Sequence, residues 1–425
     1  MSDRPGDQTD LTRRRFLSMT GGVVAAAGIT PSTTAAVNSA TTQVDAGAIE
    51  PFWGPNQGGI VTAVQNHTYF AAFDLVAANR ADVVKLLAMW TNAAARMARG
   101  LTAQPLTSDA AVPAVDSGDA LGLSPARLTV TFGFGPGLFI KDGKDRYGLA
   151  SRRPAALVDL PKFNGDQLIE AQTGGDLSVQ ACADDPQVAF HAVRQLALLG
   201  KDLVQIRWAQ TGFLGSYGTT QTPRNLMGFK DGTGNPSDPA SLSEFVWVGK
   251  EGPEWMQGGS FTVVRRIRIA LEHWEQMPLS FQEQTVGRQK YSGAPLGKKA
   301  EFDAVDLDAN DTDGNPVIPD NAHLRMATAA SNEGARILRR SYSYNDGVSF
   351  TSERWPPWRQ GMEYDAGLLF VSYQRDPRTG FIKIFERMAK FDMMNQFVTH
   401  VGSGLFACPA GIAEGSFVGA GLFKA

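Results

Sequence analysis

The sequence predicts an α+β fold of two ferredoxin-like domains, the arrangement of a dimeric α/β barrel. Three observations predict it. Strand-type and helix-type apolar patterns follow one another in the first half as strand, helix, strand, strand, helix, strand. The second half repeats the theme with longer polar excursions. A seam at 212–222 lies between them, and no short-period repeat or low-complexity run interrupts either half. The expected division is 1–44 as a leader and linker, 45–215 as the first domain and 216–425 as the second.

Element by element, 69–75 is apolar and aromatic and reads as a strand, and 82–99 carries apolar residues at helical spacing. Residues 128–135 form a second strand that runs into glycine. A third strand at 177–183 is followed by a helix at 186–199 with one apolar face, and 203–209 closes the set. In the second half 260–271 is a strong strand, and 272–277 starts a helix. The stretch 291–321, dense in Asp, Gly and Pro, reads as loop. A strand at 367–374, an amphipathic helix at 379–391 and a short strand at 404–408 complete the chain.

Composition narrows the function classes. The 425 residues are 43% hydrophobic, with 40 Lys and Arg against 43 Asp and Glu. That is enough material for a large core, and a net charge of −3 leaves no basic footprint for nucleic acid. Residues 12–18 (Thr-Arg-Arg-Arg-Phe-Leu-Ser) form a twin-arginine export motif, followed by a mildly apolar run at 19–29 and small-residue sites at 34–36 and 38–40. The run is too short and too weakly apolar for a permanent membrane span. The expectation is export to the periplasm or another extracytoplasmic face. The twin-arginine route carries folded proteins, often with a cofactor already inserted, so a cofactor-bearing protein is expected. Cys182 and Cys408 sit in apolar surroundings and read as small hydrophobes. No Cys-x-x-Cys-His motif is present, so haem is not attached covalently through one.

One stretch concentrates chemistry: Asn225 to Pro236, Asn-Leu-Met-Gly-Phe-Lys-Asp-Gly-Thr-Gly-Asn-Pro. It sets Asp231 among glycines, which lack a side chain to hold the backbone away from a flat ligand. A carboxylate fixed there can move a proton. Alone, Asp-Gly is also an ordinary turn. Of five histidines, His67, His191, His273 and His400 carry no ligand signature. His323 ends the long loop, where an imidazole can reach an iron. Arg339 and Arg340 follow in an apolar run that can turn one fixed cation inward.

Together, Gly228 to Pro236, His323 and Arg339 resemble the dye-decolorising haem peroxidases, and more narrowly their twin-arginine-exported deferrochelatase/peroxidase branch. The resemblance covers nearly the whole mature chain. It includes Phe52-Trp53-Gly54, Gly287-Arg288, Gly293 to Gly297, Gly367 to Gln374 and Gly402 to Phe406. It implies one non-covalent haem b per chain, bound mainly by the second domain, with His323 as the proximal iron ligand. It places Asp231 on the distal face with Arg339 as its partner, and Gly232, Thr233 and Gly234 along the haem edge. The implied reaction reduces hydrogen peroxide and oxidises bulky organic donors, best in acid. Release of iron from haem with the porphyrin intact is the alternative activity, and a non-catalytic haem carrier is the alternative of another class. Implied partners are membrane components of iron uptake and further copies of the chain, as a homodimer or higher oligomer.

The chain departs from that branch after the proximal histidine. Where relatives carry Asn-Pro-Arg it has Thr328-Ala329-Ala330, so a haem contact carried over to these three involves no side-chain salt bridge. Asp392 and Gln396 are both candidates to accept from the His323 imidazole. Trp355, Trp358, Tyr342, Tyr344 and Tyr373 are candidates to pass electrons from surface-bound donors.

Overall fold

The computed structural model describes residues 49–215, 221–353 and 359–424. The twin-arginine segment, both small-residue sites, Trp355 and Trp358 lie outside the described residues. Among the described residues, nine strands form one sheet: β1 (His67–Leu75), β2 (Thr129–Phe134), β3 (Leu177–Ala183), β4 (Val204–Phe213), β5 (Ser260–Ile269), β6 (Leu338–Arg339), β7 (Tyr342–Glu353), β8 (Arg359–Gln374) and β9 (Val398–Cys408). Their order is β5-β9-β2-β3-β1-β4-β7-β8-β6, and β5 also pairs with β8, so the sheet closes into a barrel. Each pairing between these strands is antiparallel. The halves meet at two narrow seams, Phe134 opposite Ala407 and Phe213 opposite Ser343.

Closure explains why several strands read as unbroken apolar runs rather than alternating ones. In β1, Phe70, Ala71, Ala72 and Phe73 are all buried, because one face meets the barrel interior and the other meets helices. The Arg80–Met97 helix starts where the Asn79 side chain accepts from the Asp82 amide at 3.0 Å. It buries Val83, Leu86, Leu87, Trp90, Ala94 and Met97, which recur every three or four residues. Asp185 caps the Pro186–Leu199 helix by accepting from Gln187 and Val188. The Trp90 indole donates to Leu196 O at 2.7 Å and ties the two helices together.

The sequence left some strand unmarked. β4, β8 and β9 run further than their local patterns, and β7 carries Asn345-Asp346-Gly347, which reads as a turn. β7 accommodates that triplet as a bulge, with a register shift between Asn345 and Val348 opposite β8 and Gly347 at φ +88°. Tyr342, Tyr344 and Tyr373 prove fully buried, so none can be the surface contact of an electron path. Tyr373 instead donates to Gln180 Oε1 at 2.7 Å, across the barrel from one half to the other. Both cysteines are free and buried. Among the described residues no helix is long and apolar enough to cross a membrane.

Just beyond β8, Arg375 grips Glu251 with two bonds of 2.6 Å, and this holds the Glu251 carboxyl down to about 2. A depressed carboxyl contributes stability above its unfolded value and loses it as pH falls toward the folded one. The pair is solvent-exposed, so Glu251→Gln is expected to cost about 0.5 kcal/mol or less at pH 7. Urea titrations should show that difference vanishing by about pH 2.

Candidate active site

The 225–236 loop is pinned before it reaches the site. The Arg224 guanidinium donates to Gly228 O at 2.8 Å, and the Asp231 amide donates to Pro223 O at 2.9 Å. Met227 and Phe229 are buried beside Trp274, which anchors the loop tip. Gly232 then takes φ +134° and Gly234 takes φ +80°. Open space surrounds Gly234, so backbone angle rather than crowding demands glycine there. These angles aim Thr233 O inward, where it accepts from Arg339 Nη2 at 2.6 Å. Arg339 Nη1 lies 3.3 Å from Asp231 Oδ1. The Asn235 side chain fixes the Arg339 backbone from both sides, accepting from its amide at 3.0 Å and donating to its carbonyl at 2.9 Å. The Asp231–Arg339 pair is therefore held in place from both the loop and β6.

His323 opens the short His323–Ala327 helix. Its Nδ1 is 2.6 Å from Asp392 Oδ2, and Asp392 Oδ1 accepts from the Met394 amide at 2.8 Å. Asp392 is buried where the Phe381–Phe391 helix ends, whereas Gln396 is exposed. Asp392 is thus the acceptor. Burial opposes protonation of His323, but the adjoining Asp392 carboxylate outweighs it and raises the imidazole above its ordinary value. In the neutral ring, with Nδ1–H donated to Asp392, the Nε2 lone pair is the one that can face a metal.

These groups open onto one cavity of about 400 Å³. His323, Asp231, Gly232, Thr233, Gly234 and Arg339 all line it, as do Thr328 and Ala329. Ala330 does not; it is exposed at the start of the Ala330–Asn332 turn. Much of the wall is apolar: Ile267, Ile269, Leu368, Phe370, Ile384 and Phe385. Lys230, Arg288, Arg336 and Arg339 supply more positive charge than Asp231 and Asp392 offset. Apolar walls, surplus cations and one imidazole with a lone pair fit an iron porphyrin with carboxylates on its edge. Among the described residues no cluster of His, Cys, Asp and Glu could hold a bare metal ion.

Residues 57–214 match the Dyp-type peroxidase N-terminal family description, and residues 222–413 match the C-terminal one. The chain belongs to the Dyp-type peroxidase family. It is 38% identical to the dye-decolorizing peroxidase of Thermobifida fusca over 81% of this chain and 76% of that one. It is 34% identical to the deferrochelatase of Escherichia coli K12 over 97% of each chain. The solved structure of DtpA from Streptomyces lividans is 40% identical, with a TM-score of 0.79 over 89% of this chain and 98% of that one. A Dyp-type peroxidase takes a haem cofactor, in agreement with the fit of the cavity.

Of the remaining histidines, three stand apart from the Dyp-type cavity. His67 starts β1, His191 is 2.8 Å from Asp119, and His273 stacks on Phe397. His400 differs: it lines the cavity, and its Nδ1 accepts from Arg265 Nε at 3.1 Å. Burial, then the Arg265 charge, pushes its imidazole well below the ordinary value. Sequence reasoning included Asn235 and Arg288 in its motifs but gave neither a role, because their partners Arg339 and Thr233 lie far along the chain. Arg288 donates to Thr233 Oγ1 at 3.0 Å and braces the same loop.

Asp392→Ala is expected to weaken haem affinity about 10–100-fold, because the imidazole loses the partner that orients it. Competition against a haem scavenger measures this directly.

Proposed function

We propose that the chain holds one haem b non-covalently through His323 and uses it to reduce hydrogen peroxide while oxidising bulky organic donors. The observation that carries this reading is one cavity lined by both the Asp392-backed imidazole and the Asp231–Arg339 pair. When bound, haem supplies the redox chemistry that links peroxide to the donor. The protein's own groups handle the protons. Asp231 takes a proton from one peroxide oxygen and returns it to the other, across one hydrogen bond or one water. Arg339 remains a cation and offsets negative charge on the departing oxygen. Because Thr233 O and Asn235 already orient Arg339, little reorganisation is needed when that charge develops. Gly232, Thr233 and Gly234, which line the same cavity, would border the haem.

We read each half as a ferredoxin-like domain, 45–215 and 216–425. Both lay their strands in one order, β4-β1-β3-β2 and β9-β5-β8-β7. The second domain is the haem-binding one, since all cavity residues fall between 225 and 400. The leader sends the folded protein through the twin-arginine route to an extracytoplasmic face, as a homodimer or higher oligomer near iron-uptake components.

A second reading, release of iron from haem with the porphyrin intact, is favoured by the deferrochelatase match over nearly the full length of both chains. A mere carrier would need no acid–base pair such as Asp231 and Arg339. Parallel product assays on the haem-loaded protein separate these readings. Peroxide-dependent dye oxidation without free porphyrin supports the first, metal-free porphyrin without peroxide supports the second, and neither product contradicts both.

A further inference from the structure

A second cavity of about 500 Å³ adjoins the one that His323 lines, and Ala335 and Arg336 line both. Its apolar wall includes Phe245, Val248 and Phe261. Its charged residues are largely spoken for. Arg375 is paired with Glu251, Arg378 with Asp376, and Lys383 with Glu333, each at 2.6 Å. On the other side of the shared wall, Lys230 is paired with Glu301 and Arg339 with Asp231. Arg288 spends its donors on Gly293 O, Glu301 O and Thr233 Oγ1. Arg336 is the exception. Among the described residues it has no carboxylate partner; its guanidinium lies 5.4 Å over the Phe245 ring and donates through Nη2 to Gly234 O at 3.3 Å.

A half-exposed guanidinium with most of its N–H groups unengaged is a ready fork for a carboxylate. The rest of that wall offers no substitute, since Thr328 and Ala329 carry no charge and Thr328 Oγ1 is bound to Arg325 O at 3.0 Å. We propose that Arg336 is a carboxylate clamp at the junction of the two cavities. It grips either a carboxylate on the porphyrin edge or the carboxylate of an aromatic donor lying against Phe245. This rests on the haem-peroxidase reading of the larger cavity. Arg336 positions its ligand and takes no part in the proton transfer.

Haem b and its dimethyl ester, which lacks free carboxylates, separate the sources. The ligands are compared on wild-type protein, Arg336→Ala and Arg336→Lys. If the clamp serves the porphyrin, Arg336→Ala loses haem to a scavenger about 10-fold faster or more. Loss of the dimethyl ester is then unchanged, and Arg336→Lys recovers part of the difference. If it serves the donor, haem loss is unchanged, while KM for a carboxylated aromatic donor rises about 10-fold relative to an uncharged one. Equal loss of haem and ester would mean a structural role and overturn the clamp. So would no change in either porphyrin loss or donor selectivity. Failure of the wild-type protein to bind haem at all would instead overturn the larger reading.

Discussion

Asp231→Asn is expected to lower kcat for peroxide-dependent dye oxidation about 10²–10⁴-fold while haem loading is retained. Asparagine keeps the shape of the side chain and can still meet Arg339, so the loop geometry that Gly232 and Gly234 create survives. What disappears is the atom that accepts and returns a proton. Arg339→Leu removes the cation instead and is expected to cost about 10²–10³-fold. The two residues act as one unit, so the double variant should lose far less than the product of the single losses. Rapid mixing with peroxide, followed at the Soret band, isolates this step from donor binding. A rate within threefold of wild type in the Asp231→Asn protein would remove the carboxylate from its proposed role.

The second large effect concerns stability. Arg265 and Asp166 form an ion pair whose side chains are 0% and 1% exposed. Arg265 also reaches Ser403 Oγ at 3.0 Å and His400 Nδ1 at 3.1 Å, and lies over the rings of Phe163 and Phe385. Burial pushes the Asp166 carboxyl up even beside this cation, so desolvation outweighs attraction. Such a pair adds little net stability, yet breaking it is expensive. Asp166→Ala strands the guanidinium and is expected to cost about 3–5 kcal/mol in chemical denaturation. Replacing both partners by apolar residues of similar volume is expected to be about neutral. The same contact fixes His400: an arginine N–H can only donate, so Nδ1 accepts and the ring proton sits on Nε2.

The fold was legible where its information is local. The strand Leu177–Ala183 and the helix Pro186–Leu199 appear with the bounds their apolar patterns imply. β7 was not legible, because its turn-like triplet becomes a bulge only when β8 lies opposite. The extra length of β4 reaches the seam residue Phe213, whose partner Ser343 is distant in sequence. The site follows the same division. Asp231, His323 and Arg339 stood out as residue types in informative settings, and the structure brings all three to one cavity. Asp392 could be narrowed only to a pair, since hydrogen bonding to His323 depends on how a helix end docks. Asn235 lay in the singled-out loop, but nothing local gave it a role; it holds Arg339, 104 residues away. His400 looked like a residue in an apolar strand, which it is, but that strand forms the cavity wall.

The proposed function rests on His323, steadied by the buried Asp392 carboxylate, as the ligand to the iron. Absorption and electron paramagnetic resonance spectra of haem-loaded His323→Gly, with and without added imidazole, address it most directly. The predicted result is loss of the wild-type axial signature without imidazole and its return, together with peroxidase activity, when imidazole is supplied. A His323→Gly protein with wild-type spectra and activity in the absence of imidazole would contradict it.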